Sequence, residues 1–360
     1  MSLRQTVRSV LIFAALMLIA GCGAGYTPSS PPPPATARFM FVANLFSNDI
    51  STYSVDSQSG QLTAKDTISA GGTHPRAIAA EPAGRFAYVG NLVSDDISVF
   101  TIDSNTGGLA MTGSTVPAGG GPRSIVVGPA GTVLYSVNQD SDTVSMFVIN
   151  PTTGAISSLG SVPTDGAPVA IGFHPGGQFA YVANGFSNDL TIYGVDASGG
   201  LRLLGATPAG PNPGSVTMHP SGRFAYVLNL GTSDITIFSV NAATGALAPL
   251  SPRVATGTGP TCFTLDSQGR FAYVTNNLAG SVAVFAIDAT TGSLTLTSTV
   301  PVGGNPVALS LDPSGWFAYV ANIGPDNITP FAVDAVTGAL TPVGLPVNAG
   351  TGPVSLAFAK

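Results

Sequence analysis

From Phe39 onward the chain is written in short apolar runs separated by polar turn signals. No long stretch after residue 25 carries the 3.6-residue period of a helix. One run recurs. FAYV begins at Phe86, Phe179, Phe224, Phe271 and Phe317, and the variants FMFV at Phe39 and VLYS at Val133 fill the two gaps. Successive starts lie 47, 47, 46, 45, 47 and 46 residues apart. Each unit reads as four strands. One, such as FAYVGN, ends on asparagine, and a second, such as DISVFTID, follows a short polar turn. A third, such as LAMTGSTV, follows a Thr-Gly or Ser-Gly turn. A fourth, such as RSIVVGP, is introduced by Gly-x-x-Pro and leaves through a turn of the PSGR type. Four strands at this period predict the blade of a β-propeller, and seven units predict an all-β, seven-bladed ring.

The phase of the repeat predicts how the ring closes. The folded region opens on a strand of the FAYV type and ends on one of the channel-lining type, PVSLAFA, Pro353 to Ala359. That last strand is expected to complete the blade begun by Phe39 to Thr63, which removes the free sheet edges of an open arc. Inner strands then run from the Gly-x-x-Pro turn along the channel wall to the PSGR turn on the far face. The FAYV strand returns, so its terminal asparagine and the next loop come back beside Gly-x-x-Pro. Arg123 and Gln139 begin and end one such hairpin and are predicted to share the channel mouth, although 16 positions separate them.

Composition adds the context. Only 8% of the 360 residues are charged, the net charge is −6, and no Lys/Arg run exists, which excludes nucleic acid as a partner. The start, MSLRQTVRSVLIFAALMLIAGC, places Arg4 and Arg8 before an apolar run from Val10 to Ala20 that is too short to span a bilayer. Ile19-Ala20-Gly21-Cys22 has the form of a bacterial lipoprotein cleavage box. Residues 1–21 are therefore read as a signal peptide and 22–38 as a lipidated Cys22 with a stiff Pro-rich tether. Residues 39–360 are the propeller. The expected protein is exported, monomeric and held in the cell envelope by its Cys22 lipid anchor. With Cys22 acylated, Cys262 has no disulfide partner; it lies in an apolar strand and is expected to be a small buried hydrophobe.

Most charges repeat blade by blade and read as turn chemistry. The exceptions gather at one place. Around the ring, the residue after the Gly-x-x-Pro proline is Arg76, Arg123, Val169, Gly214, Thr261, Val307 and Val354. Two adjacent blades thus carry arginine where five carry apolar or small residues. His74 precedes Arg76 by two positions, and Asp140, at the same mouth, is expected to neutralise one arginine. The candidate catalytic residues are Arg123 and Gln139, and the candidate binding residues are Arg76, His74 and Asp140. His174 and His219 occupy the far-face turn, no Cys/His spacing suits a metal, and Asp140-x-Asp142 alone is non-specific for calcium. No residues point to a cofactor.

The segments GPRSIVVGPAG, HPRAIAAEPAGRFAYVGN and the repeated FAYVAN resemble the seven-bladed lactonase family, over all of Phe39 to Lys360. That family includes bacterial 6-phosphogluconolactonase, carboxy-cis,cis-muconate cyclase and the related YVTN-repeat surface proteins. The resemblance implies a catalytic group at the channel mouth made of an arginine, a glutamate and a histidine from another blade. Arg123 matches the arginine. Ser124 stands where histidine is usual in the hairpin and Gln139 where glutamate is usual; the preceding blade offers Arg76, Ala77 and Leu92. An amide cannot take a proton as a general base. Two readings stay open. One is a lipid-anchored binding module with a degenerate mouth, recognising an envelope protein, a glycan or a small anionic ligand. The other is a lactone hydrolase using Arg123 and Gln139.

Overall fold

Each FAYV run forms the second strand of a four-stranded antiparallel sheet in the computed structural model, which describes residues 38–359. The expected signal peptide, Cys22 and all of the expected tether but Arg38 lie outside the described residues. Among the described residues every regular element is a strand. Seven sheets follow one another, each ordered inner, second, third and outer strand. Blade 2, for example, comprises Pro75–Ala80, Phe86–Asn91, Asp96–Ile102 and an outer strand split into Leu109–Met111 and Val116–Pro117. Blade 3 comprises Pro122–Val127, Val133–Asn138, Thr143–Ile149 and Ile156–Pro163.

The ring closes as the repeat phase predicts. Pro353–Ala359 pairs with Arg38–Asn44 in register from Phe39 opposite Ala359 to Asn44 opposite Pro353, and so supplies the inner strand of blade 1. Blades 4 to 7 follow blade 3, with inner strands Pro168–Phe173, Pro213–Met218, Pro260–Leu265 and Pro306–Leu311.

Burial explains the sequence pattern strand by strand. Second strands such as Phe179–Asn184 are buried at every position because a neighbouring blade covers each face. A residue of either parity then meets apolar surface, so the strand is almost wholly apolar. Outer strands such as Leu62–Ser69 bury only their first residue, half-bury Ile68, and carry Thr, Lys and Asp. The core is therefore seven interblade clusters, each shared by two neighbours; Phe39, Phe41 and Ala357 of blade 1, for instance, pack with Ile78, Val89 and Phe100 of blade 2.

Three polar or steric clasps repeat between blades. The tyrosine of the second strand donates its hydroxyl to the carbonyl of a turn glycine on the next blade: Tyr88 to Gly154, Tyr181 to Gly245, Tyr226 to Gly292, and across the seam Tyr319 to Gly60 at 2.8 Å. Burial pushes the Tyr181 phenol up to about 12, so the donor form is kept. The mouth-face turn residues Asn48, Asp95, Asp142, Asn188 and Asp326 each accept, at 2.7 Å, the backbone N–H that precedes the next blade's inner-strand proline. Sequence spacing marked these acids as turn formers acting on nearby amides; the amide they hold lies 24 to 26 residues on, in the following blade.

The steric clasp sets a strong test. Gly107 has φ +73°, and a β-carbon there would lie 2.2 Å from Cδ1 of Phe39 on the preceding blade. Left-handed strain costs an alanine about 1–2 kcal/mol and overpacking about 1–3 kcal/mol. Gly107→Ala is expected to lose about 2–5 kcal/mol in denaturant unfolding; a midpoint equal to wild type would refute the steric reading.

Candidate active site at the channel mouth

Hairpin register builds the site. Pro122 opposes Asn138 across the inner and second strands of blade 3, so the residues that follow each of them, Arg123 and Gln139, emerge at the same end of the sheet. Nη1 of Arg123 donates to Oε1 of Gln139 at 2.7 Å. Arginine has donors only, so the amide oxygen is fixed towards it and the Gln139 NH2 group is turned away as a further donor. The backbone of this loop is also held: the Gln139 N–H donates to the Gly121 carbonyl at 2.8 Å.

Arg76 occupies the equivalent position on blade 2. It is half-buried, and among the described residues no side-chain hydrogen bond or ion pair involves it. Burial first and then the neighbouring Arg123 charge lower it to about 10, with Cys262 acting the other way. At neutral pH it stays protonated. Burial likewise lowers Arg123, against the favourable charge of Asp140. Two guanidiniums therefore share a partly desolvated mouth without a carboxylate lodged between them.

Asp140 is exposed on the rim. It acts on Arg123 through its charge, yet the ion pairs among the described residues do not include the two, and the direct contact is made by Gln139 instead. Asp142 is committed to the interblade clasp, with its Oδ1 on the Ala167 N–H. Among the described residues no group of three or more His, Cys, Asp or Glu side chains is placed to hold a metal. His74 lies in a left-handed turn (φ 55°) with its N–H on Asn48 Oδ1, and its ring meets Phe46 edge-on at 6.3 Å between centroids. The structure therefore places His74 against the rim, while Arg76, Arg123 and Gln139 form the mouth proper.

His174 and His219 are far-face turn residues. Nδ1 of His174 accepts from the Gly176 N–H, which leaves Nε2–H to donate to the Gly222 carbonyl of the next blade at 3.2 Å. His219 repeats this with Gly269 at 2.9 Å.

Two mouth residues were not among the site candidates read from the sequence. Cys262, on the inner strand of blade 6, is half-buried instead of fully buried, and it lies near enough to Arg76 to interact with its charge. Burial pushes its thiol up, and Sγ faces the Leu309 carbonyl at 3.7 Å, so it serves as a weak donor and not a nucleophile. Ser215 of blade 5, at the same register, has a buried hydroxyl without a partner among the described residues. The signal was available: both occupy the second place after the Gly-x-x-Pro proline, as Ala77 and Ser124 do.

Chemically, the mouth is a set of donors. Arg76, Arg123 and the Gln139 amide suit a carbonyl, carboxylate or developing oxyanion, and none of the three takes a proton near neutrality.

Comparison with known proteins agrees with this architecture. The chain matches the family described as "Lactonase, 7-bladed beta-propeller" over residues 35–121, 84–173, 114–265 and 263–358. No protein of curated function matches it significantly in sequence. Among solved structures, a 6-phosphogluconolactonase candidate from Bacteroides fragilis superposes with a TM-score of 0.81 at 21% identity, covering 92% of this chain and 100% of its own. A second such candidate, from Bacteroides uniformis, gives 0.80 at 20% identity, covering 90% and 100%. The periplasmic gluconolactonase of Pseudomonas aeruginosa gives 0.78 at 20% identity, covering 90% and 99%. These likenesses establish the shared fold. With the family match spanning nearly all of the propeller, the chain belongs to the lactonase family of seven-bladed β-propellers.

Proposed function

We propose that the protein hydrolyses a lactone at the channel mouth, with Arg123 and Arg76 as oxyanion donors. The observation that carries this reading is the 2.7 Å bond from Arg123 to Gln139, which fixes a guanidinium and a free amide NH2 around one opening in the family hairpin. The lactone carbonyl oxygen accepts from these donors. Water or hydroxide adds to the carbonyl carbon, the ring C–O bond breaks, and the ring oxygen takes a proton from solvent, giving the hydroxy acid. Family membership and the gluconolactonase relative support hydrolysis over the binding-module reading, which rested on the expected lipid anchor, the stiff spacer and the low charge of near-uniform blades.

Arg76, Arg123 and Gln139 include no general base, and this shapes the kinetics. Attack by hydroxide predicts that kcat/KM on a panel of lactones rises about tenfold per pH unit around neutrality, without the plateau a titrating base gives. Arg123→Ala is expected to lower kcat/KM about 10²–10³-fold, the cost of removing one oxyanion donor. No turnover above background on any lactone, with anion binding retained, would reinstate the binding module.

A further inference from the structure

The far-face turns carry a device that one seam between blades lacks. In blade 6 the residue before FAYV is Arg270, whose guanidinium carbon lies 5.3 Å from the centre of the Phe271 ring. Its Nε pairs with Asp266 at 3.4 Å, and its Nη1 donates at 2.9 Å to the Ala335 carbonyl of blade 7. Arg223 of blade 5 likewise lies over Phe224 and donates to the Ala289 and Thr290 carbonyls of blade 6. A guanidinium thus bridges each seam to the carbonyl just past the next turn's aspartate, Asp334 or Asp288. Blade 3 carries none of the three side chains: Gly128 stands for Asp266, Thr132 for Arg270 and Val133 for Phe271. The turn it meets on blade 4 still opens on an aspartate, Asp196, followed by Ala197. The two seams otherwise correspond, since Tyr135 donates to the Gly199 carbonyl of blade 4 as Tyr273 does to Gly338 of blade 7.

The missing side chains leave space. A cavity of about 220 Å³ opens between blades 3 and 4, with Val133, Tyr135, Val195, Asp196 and Ala197 in its wall. Its counterpart between blades 6 and 7, with Arg270 and Phe271 in place, measures about 140 Å³. Asp196 is the one charged residue lining the larger cavity. Its Oδ1 accepts from the Ser198 hydroxyl and from the Gly200 and Ser198 amides, which hold the carboxyl below the usual carboxylate range. Among the described residues no hydrogen bond ends on Asp196 Oδ2 or on the Ala197 carbonyl, and no ion pair includes Asp196. Gln178 and Trp316 hold the arginine's place at two other seams, where the next turn opens on neutral Asn241 or the replacing side chain is itself large.

We infer that the seam between blades 3 and 4 binds an alkylguanidinium cation from solution. Its planar head takes the place of the missing arginine head, donating to the Ala197 carbonyl beside the Asp196 carboxylate, and its alkyl stem lies against Val133 and Val195. A planar fork of donors suits these acceptors better than a compact ammonium does. The site lies on the face opposite the channel mouth and is independent of the hydrolytic reading.

An NMR titration of the whole protein with butylguanidinium, followed at the amides of residues 196–200, tests the inference. Saturable shifts are expected there. N-butylurea, neutral and of nearly the same shape, is expected to give none. Asp196→Asn should keep the turn, because Asn150 and Asn241 hold the same place in blades 3 and 5 with the same amide bonds. It is expected to weaken binding about fivefold, the upper end for an exposed ion pair. Thr132→Arg restores the repeat and is expected to abolish the shifts, since its own head would fill the site, with a melting temperature at or above that of wild type. No saturable shift in wild type, equal shifts with N-butylurea, or undiminished affinity in Asp196→Asn would overturn the inference. So would undiminished affinity in a folded Thr132→Arg, or equal shifts at residues 288–292, where Arg223 already sits. Should Thr132→Arg fail to fold, Asp196→Asn and the urea decide.

Discussion

A chain stopped at Gly352 is expected to have no cooperative thermal transition, whereas one stopped at Ala359 should unfold like the full chain. The lost strand supplies the inner edge of blade 1; its Val354 is buried, and its Leu356 and Phe358 pack half-buried against an interblade core. Fully burying a side chain of this size is worth about 1.5–3 kcal/mol, so one buried and two half-buried side chains contribute about 3–6 kcal/mol. A domain's whole margin is only about 5–15 kcal/mol. The loss does not stop there. Met40 and Val42, fully buried in the intact ring, would sit on an unpaired edge, which templates aggregation. Scanning calorimetry or far-ultraviolet melting decides the matter, and a sharp transition within a few degrees of the full chain would show that the closing strand is dispensable.

Gln139→Glu is expected to raise kcat/KM on a turned-over lactone about 10²-fold. General bases are worth about 10²–10⁴. The low end applies because Arg123, 2.7 Å from this side chain, would favour the carboxylate and so weaken it as a base. The sign of the pH effect follows. The new base works only when deprotonated, so the added rate is present above its pKa and lost as pH falls through it. Around neutrality the variant should therefore be flat where wild type still climbs, so its advantage is greatest near the new pKa and shrinks as pH rises. Gln139→Leu, which removes the amide without adding a base, should not gain. A variant no faster than wild type at any pH would mean that the missing carboxylate does not limit this site.

Much of this arrangement was legible in the chain. Spacing of the FAYV runs gave the blades, and their phase gave the closing strand, because a repeat that starts one strand late must finish one strand late. The Arg123–Gln139 contact was legible for the same reason: an antiparallel hairpin register converts 16 positions of sequence into one shared end. Cys262 was less visible. It reads as one more apolar position in TCFTL, and only curvature of the ring turns blade 6 towards Arg76 of blade 2. The clasps of Asp95 and Asp142 were hidden differently, since a single blade shows an acid in a turn and not the amide it holds on the next blade.

The pairing of Phe39 with Ala359 has a mechanical consequence. Both ends of the propeller emerge from the same end of two antiparallel neighbours, so tension applied between them would load the hydrogen bonds of that pair one after another, as in opening a zipper. Heat must disrupt the whole wheel together, but a pull on the two termini needs to break only the first rung to reach the second. A wheel of this design withstands cooking better than tugging, and it is safest when held by one end alone.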